Sequence, residues 1–340
     1  MSDATRELRM GIIGYGYWGP NIVRNLAGTP GVKPALLADR DEARLAKART
    51  LYPMLETTAD VDRLIGDATI DAVAVITPVS THYDLARRAL EAGKHVLLEK
   101  PMTASVAEAE ALVKLAAERD LRLMVDHTFL YNGAVRAIKA LIESGQLGEI
   151  LYFDSTRINL GLYQHDVSVV WDLAPHDFSI MDYLLGRMPQ SITAIGSRFG
   201  SKQASVAFVV AKFDDGRIAH FHLNWLSPVK VRRVIIGGTH KMVVYDMGQP
   251  DEPVKIYDKG MDFIEREGVH QTLVQYRVGD MHAPQIPNTE ALTLMCREFA
   301  DAIRAHRRPM TDGESGLRVV KVLTAAERSL ERDGSPVLLM

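Results

Sequence analysis

The stretch from Leu8 to Leu26 leaves this chain few folds. The apolar run Leu8-Arg-Met-Gly-Ile-Ile13 enters glycines at 14, 16 and 19, and Pro20-Asn-Ile-Val-Arg-Asn-Leu26 follows with helical spacing. A strand, three glycines at this spacing and a helix form the geometry that holds a pyrophosphate. The first glycine allows the tight turn and the second lets the backbone approach phosphate. The third allows close helix–strand packing, and the helix N-terminus faces the anion. Glycines alone can serve a turn and nothing more. Here Lys33-Pro-Ala-Leu-Leu-Ala38 reads as the next strand, and it ends at Asp39, twenty residues after Gly19. An acid at that place accepts hydrogen bonds from adenosine ribose hydroxyls. The loop Gly14, Tyr15, Gly16, Tyr17, Trp18, Gly19 is therefore expected to bind a dinucleotide. Asp39 would repel a 2′-phosphate and so favours NAD over NADP. Its neighbour Arg40 can stack on adenine or neutralise a phosphate, which weakens that preference.

The alternation continues. Glu42 to Leu51 and Tyr83 to Ala92 read as helices, and Asp71-Ala-Val-Ala-Val-Ile76 and His95 to Leu98 as buried strands. Strands alternating with helices predict right-handed βαβ units and a parallel sheet. Beyond about residue 150 the pattern changes to hairpins. Ser205 to Phe213 and Arg217 to Trp225 flank Asp214-Asp215-Gly216, and Lys230 to Ile236 and Lys241 to Tyr245 flank Gly237 to His240. Helices are expected around Asp172 to Leu185 and Glu290 to Ala305. The expected fold is an α/β Rossmann domain over residues 1–125. An α+β domain with an open, mostly antiparallel sheet follows over residues 126–340, serving substrate binding and oligomerisation.

Length and charge narrow the function. At 340 residues about two domains are expected, and a formal charge of −3 gives no polyelectrolyte signal for nucleic acid. The Arg232-Arg233 and Arg307-Arg308 pairs read as solvated surface charge. The single cysteine, Cys296, excludes an intramolecular disulfide and reads as a small core residue. The start, Met1 to Arg9, is polar without an apolar leader core, and no apolar run approaches membrane length, so a cytoplasmic protein is expected. An open sheet face needs cover, which favours a homodimer or homotetramer.

Two further motifs carry chemistry. Glu99-Lys100-Pro101 closes the apolar strand His95 to Leu98, where charge is costly unless a site or partner satisfies it. Thr77-Pro78 and His82 fall at the same carboxyl edge of the sheet and, with Glu99 and Lys100, are expected near the cofactor; His82 reads equally as a helix-start residue. In Trp171-Asp172-Leu-Ala-Pro175-His176 the acid and the imidazole stand four apart, one helical turn, so the carboxylate can orient the histidine. A histidine titrating near neutrality suits proton transfer in alcohol oxidation, and a desolvated lysine can hold the same hydroxyl. Lys100, His176 and Asp172 are thus the catalytic candidates. The plain alternatives are a solvated lysine, a helix-capping histidine and an N-cap aspartate with Pro175 in the first turn.

These pieces together resemble the Gfo/Idh/MocA oxidoreductases. The resemblance rests on Gly11-Ile-Ile-Gly-Tyr-Gly-Tyr-Trp-Gly19, Glu99-Lys-Pro101 and Asp172-x-x-x-His176, and it extends to the tail Pro309 to Gly316. It implies a Rossmann domain, an α+β domain with an open sheet, a Lys-Pro bond that is often cis, and hydride transfer on a sugar or polyol with Lys100 and His176 at the reacting hydroxyl. Within that family His127-Thr-Phe-Leu-Tyr131-Asn132, Arg157-Ile-Asn159 and Trp171 to His176 look like the branch acting at C3 of nucleotide-linked hexoses, such as a UDP-N-acetylglucosamine derivative. The substrate candidates are Lys100, Tyr131, Arg157, Asn159, Trp171 and His176. Arg157 would pair with a carboxylate or phosphate; an ordinary polar sheet face is the alternative. An inositol or free-sugar dehydrogenase and a non-catalytic NAD-binding regulator are the rival readings. No metal is expected, since His220 and His222 share a strand face but no third ligand is evident. Tyr163-Gln-His165-Asp166 is compatible with a substrate loop.

Overall fold

The computed structural model describes residues 7–161, 167–200, 202–265 and 272–339. The chain forms two compact units, Met1–Tyr131 with Thr289–Lys321, and Asn132–Asn288 with Val322–Met340.

In the first unit the strands are β1 (Leu8–Ile13), β2 (Val32–Ala38), β3 (Glu56–Thr58), β4 (Ala72–Val75), β5 (His95–Leu98) and β6 (Leu123–Val125). They pair in parallel in the order β3-β2-β1-β4-β5-β6. The helices α1 (Gly19–Ala27), α2 (Glu42–Leu51), α3 (Val61–Gly66), α4 (His82–Glu91) and α5 (Val106–Glu118) make the crossovers. Ala72 to Val75 and Val96 to Leu98 are fully buried, which is why these strands read as unbroken apolar runs. Strand order reverses between β1 and β4, and open α/β sheets bind their ligands at the carboxyl ends of the strands at such a switch point.

The single sequence boundary at 125/126 needs correction, because residues 289–321 return to this unit. α8 (Ala291–Arg304) buries Met295, Cys296 and Phe299, and it is tied to α1 by Arg24, which donates to both oxygens of Glu290 at 2.9 and 2.6 Å. The Thr311 hydroxyl donates to the Val125 carbonyl at 2.7 Å, covering the outer edge of β6 just before α9 (Gly313–Glu331). An apolar helix face and an open sheet edge are paired here by contacts remote in sequence.

The second unit contains α6 (Gly133–Glu143), β7 (Ile150–Leu160), α7 (Val169–Leu185), β8 (Ser191–Ser197), β9 (Val206–Lys212), β10 (Ile218–Asn224), β11 (Leu226–Gly238), β12 (Met242–Asp246), β13 (Val254–Glu265), β14 (Thr272–His282) and β15 (Val337–Leu338). Its nine strands run β14-β13-β12-β11-β7-β10-β9-β8-β15. Among the described residues of this sheet only β7 and β10 pair in parallel; both expected hairpins form. α7 covers one sheet face, where Phe178 meets Phe221 edge-to-face at 4.8 Å. On the other face Phe208 stacks on His222 at 4.5 Å, and His220 Nδ1 lies 2.9 Å from an Asp154 oxygen. No helix among the described residues is long and apolar enough to cross a membrane.

Candidate active site

The three loop glycines answer to different neighbours. Gly14 has φ +101°, and a Cβ there would lie 2.3 Å from the Ile76 carbonyl oxygen. A Cβ on Gly19 would lie 2.7 Å from the Gly14 carbonyl oxygen. Both are demanded by the protein's own backbone. The nearest atom to a Cβ on Gly16 is Arg44 Nη1 at 3.7 Å, so this glycine leaves room for a ligand rather than for the protein. α1 begins without a side-chain cap and without an acid in its first turn. Its first N–H groups and positive dipole end suit a pyrophosphate, and the loop therefore fits a dinucleotide.

Asp39 is more deeply engaged than its position in sequence suggests. One oxygen accepts the Tyr15 N–H at 2.6 Å, the other the Asp41 N–H at 2.9 Å, and Arg44 stands 3.7 Å away. Each oxygen keeps a lone pair for a ribose hydroxyl. Arg40, Tyr17 and Trp18 are exposed, whereas the Tyr15 ring is buried in the core. His82 also departs from expectation. It is buried, with Nε2 2.8 Å from the Thr77 carbonyl oxygen and Nδ1 2.9 Å from that of Pro101. Burial depresses its pKa. Its ring lies between the Thr77-Pro78 turn and the Lys100-Pro101 turn and so sits inside the carboxyl edge of the sheet. The Thr77 hydroxyl accepts from Thr81 at 2.7 Å.

The Lys100-Pro101 bond is cis. Leu98 stands in register with Val125, and the Asp126 N–H donates to the Leu98 carbonyl at 2.8 Å. The next residue on each strand, Glu99 and Asp126, therefore project side by side, both buried. Their carboxyls hydrogen-bond, which requires a proton. Burial first, and then the Asp126 charge, push the Glu99 pKa well up, so Glu99 holds it. The Thr128 hydroxyl donates to Asp126. Glu99 thus faces a carboxylate inside the unit, not open solvent. His127 is buried too, driven down to a pKa of about 3 by burial and by the charges of Lys100 and Arg318.

In the second unit α7 starts at Val169, behind Ser168, which sits at the N-cap and donates to Glu327 at 2.6 Å. Asp172 lies inside the first turn and accepts the Trp225 indole N–H at 2.9 Å. Pro175 is consequently interior to the helix and offers no N–H to the Trp171 carbonyl. His176 and Trp171 are half-buried.

Two substrate candidates are overturned. Arg157 is 2 % exposed and donates through Nε and Nη2 to Asp177, itself 1 % exposed, at 2.6 and 2.9 Å. It is neutralised within the fold. Tyr131 is fully buried in the first unit, its hydroxyl 3.2 Å from that of Thr311. Asn159, two residues beyond Arg157, shares its sheet face and is half-buried. Arg232 also departs from the solvated pair expected of it. It stands opposite Arg157 in the β7–β11 register, half-buried, while Arg233 is exposed. Residues 163–166 lie outside the described residues. Sequence reasoning missed Trp225, Asp126 and Asp177. For Asp177 a signal existed, because Phe153, Ser155 and Arg157 alternate onto one face and a cation there calls for a counter-charge.

Among the described residues no group of three His, Cys, Asp or Glu side chains can hold a metal. Comparison with known proteins agrees with this geometry at the level of family. Residues 8–127 match the oxidoreductase family with an NAD-binding Rossmann fold, and residues 135–244 match the GFO/IDH/MocA C-terminal domain. An uncharacterised Escherichia coli oxidoreductase, YdgJ, is 31% identical over 75% of each chain. UDP-N-acetylglucosamine 3-dehydrogenase of Acidithiobacillus ferrooxidans is 28% identical over 96% of this chain and 99% of its own. A solved structure of that enzyme superposes with a TM-score of 0.80, at 27% identity, over 96% of this chain and 98% of that one. The NADP-dependent scyllo-inositol 2-dehydrogenase IolW of Bacillus subtilis is 26% identical over 95% of this chain and 93% of its own.

Proposed function

The chain belongs to the Gfo/Idh/MocA family of NAD-dependent oxidoreductases, and from that premise we propose that it oxidises or reduces C3 of a nucleotide-linked hexose. The observation that carries the reading is the Glu99-Lys100-Pro101 turn. It sits at the carboxyl end of β5, next to the switch point where a dinucleotide fits, and is braced by Asp126 and His82. The likeness to UDP-N-acetylglucosamine 3-dehydrogenase over nearly the full length supports the sugar class.

Gly14, Gly16, Gly19, Asp39 and Thr77 hold the cofactor, which when bound supplies the hydride acceptor or donor. The chain's own residues handle the proton. In the oxidative direction the carbinol C–H bond breaks with its electron pair leaving as hydride, and the O–H proton passes to Lys100 or His176, leaving a ketone. Asp172, held by the Trp225 indole, fixes the first turn of α7, one turn before His176. The open sheet face, with Phe208, Ile218, Tyr276 and Val278 exposed, is the surface for a homo-oligomer. On this reading the enzyme works in the cytoplasm, where NAD and nucleotide sugars are available.

The test incubates the protein with NAD or NADH and a panel of UDP-sugars, their 3-keto forms, inositols and free hexoses, following nicotinamide absorbance. Turnover confined to UDP-sugars is expected. Turnover on inositols alone transfers the reading to the polyol class that IolW represents. Tight NAD binding without turnover on any compound makes the protein a regulator.

A further inference from the structure

The charge balance beneath α7 is incomplete. Arg157 and Asp177 cancel one another in a buried, two-bonded ion pair. Residues directly opposed in an antiparallel pair project on the same face, so Arg232, opposed to Arg157, points to the face that α7 covers. Along β11 the inward positions Val234 and Ile236 are buried, and Arg232 continues their alternation. Its Nε is buried without a hydrogen-bond partner, and its side chain makes no ion pair among the described residues. A guanidinium half out of water, with another guanidinium as its neighbour, is costly unless an anion completes the site. Asp177 accepts both bonds from Arg157 and leaves the Arg232 Nε without a partner.

We infer that Arg232 binds an oxyanion group, phosphate or carboxylate, of the sugar substrate. The inference rests on the proposed reading that the second unit carries the sugar site. Asn159 shares the face beside it, and His176 is the neighbour in sequence of Asp177, whose charge Arg232 feels. The guanidinium edge, Nε with one Nη, matches two oxygens of a phosphate or carboxylate. Arg232 thus takes the role that its paired neighbour Arg157 cannot fill. It reads charge, and so separates nucleotide-linked or acidic sugars from neutral ones.

The experiment titrates full-length protein, saturated with NAD, with UDP, glucuronate and glucose by calorimetry, for wild type, Arg232→Gln and Arg232→Lys. Wild type is expected to bind at least one of the two anionic probes. Arg232→Gln should weaken that binding by about 10- to 100-fold relative to glucose, the loss of a charge-assisted hydrogen bond. Arg232→Lys should recover part of it, keeping the charge but not the fork. UDP alone responding identifies phosphate; glucuronate alone identifies carboxylate. Wild type binding neither probe, or equal losses for charged and neutral probes, overturns the inference. Should Arg232→Gln not fold, Arg232→Lys decides by the same ratio. Turnover of neutral sugars without anion preference removes Arg232's role and leaves hydride transfer standing. Anion binding without turnover on any sugar does the reverse.

Discussion

Replacing Arg157 by methionine should destabilise the second unit severely while sparing the first. Arg157 and Asp177 are 2 % and 1 % exposed and joined by two hydrogen bonds of 2.6 and 2.9 Å. Arg157→Met leaves the Asp177 carboxylate buried without its cation, a defect that typically costs about 3–5 kcal/mol. For a unit of this size about 2–4 °C of Tm accompany each kcal/mol, so the transition should fall by roughly 6–20 °C. Circular dichroism on heating reads the fall, and NAD affinity measured below the transition should stay near wild type, because the nucleotide loop lies in the first unit. The companion Arg157→Met with Asp177→Leu removes both charges and should recover most of the loss, since a buried ion pair replaced by apolar groups of like volume is near neutral or better. A single variant that melts like wild type but raises the sugar KM would refute this reasoning and return Arg157 to the substrate.

Three further outcomes test the site. Gly14→Ala, forced to keep φ at +101° with a Cβ 2.3 Å from the Ile76 oxygen, should lose NAD binding and about 1–3 kcal/mol of stability, read by NADH fluorescence and urea unfolding. Lys100→Ala should lower turnover by about 100-fold or more with NAD affinity intact, and equal losses in both would make Lys100 a cofactor ligand. Glu99 keeps its proton in the folded state to well above its exposed value of 4.5. Its contribution is therefore full below that value and is lost as pH rises through the folded pKa, at up to about 1.4 kcal/mol per unit. Glu99→Gln keeps a donor toward Asp126 without titrating, so its stability should gain on wild type as pH rises above 4.5 in urea unfolding. Parallel pH curves would show that Glu99 ionises normally.

Much of the first unit was legible because parallel strands buried on both faces announce themselves as apolar runs, as at Ala72 to Val75, and because backbone contact leaves Gly14 no substitute. The hairpin at Asp214-Asp215-Gly216 was legible through turn chemistry alone. The return of residues 289–321 was not, since it depends on Glu290 finding Arg24 and Thr311 finding Val125 across most of the chain. The start of α7 was misplaced by a local rule: Asp172 has capping chemistry, yet Ser168 four residues earlier has it too and leads into the buried pair Val169 and Val170.

The misreading of Arg157 bears on how His176 is presented. An inward arginine on β7 needs its counter-charge from the helix laid over that face, and Asp177 supplies it. The ion pair, together with Phe178 against Phe221, sets the rotation of α7 about its axis. Successive helical residues are separated by about 100°, so fixing Asp177 toward the sheet turns His176 away from the sheet core to a half-buried flank. Pro175, before it, withholds an N–H from the Trp171 carbonyl, and the Trp225 indole holds Asp172 one turn earlier. His176 therefore owes its aim to two buried charges that touch no ligand. Loosening that pair should misdirect the imidazole before it unfolds the sheet.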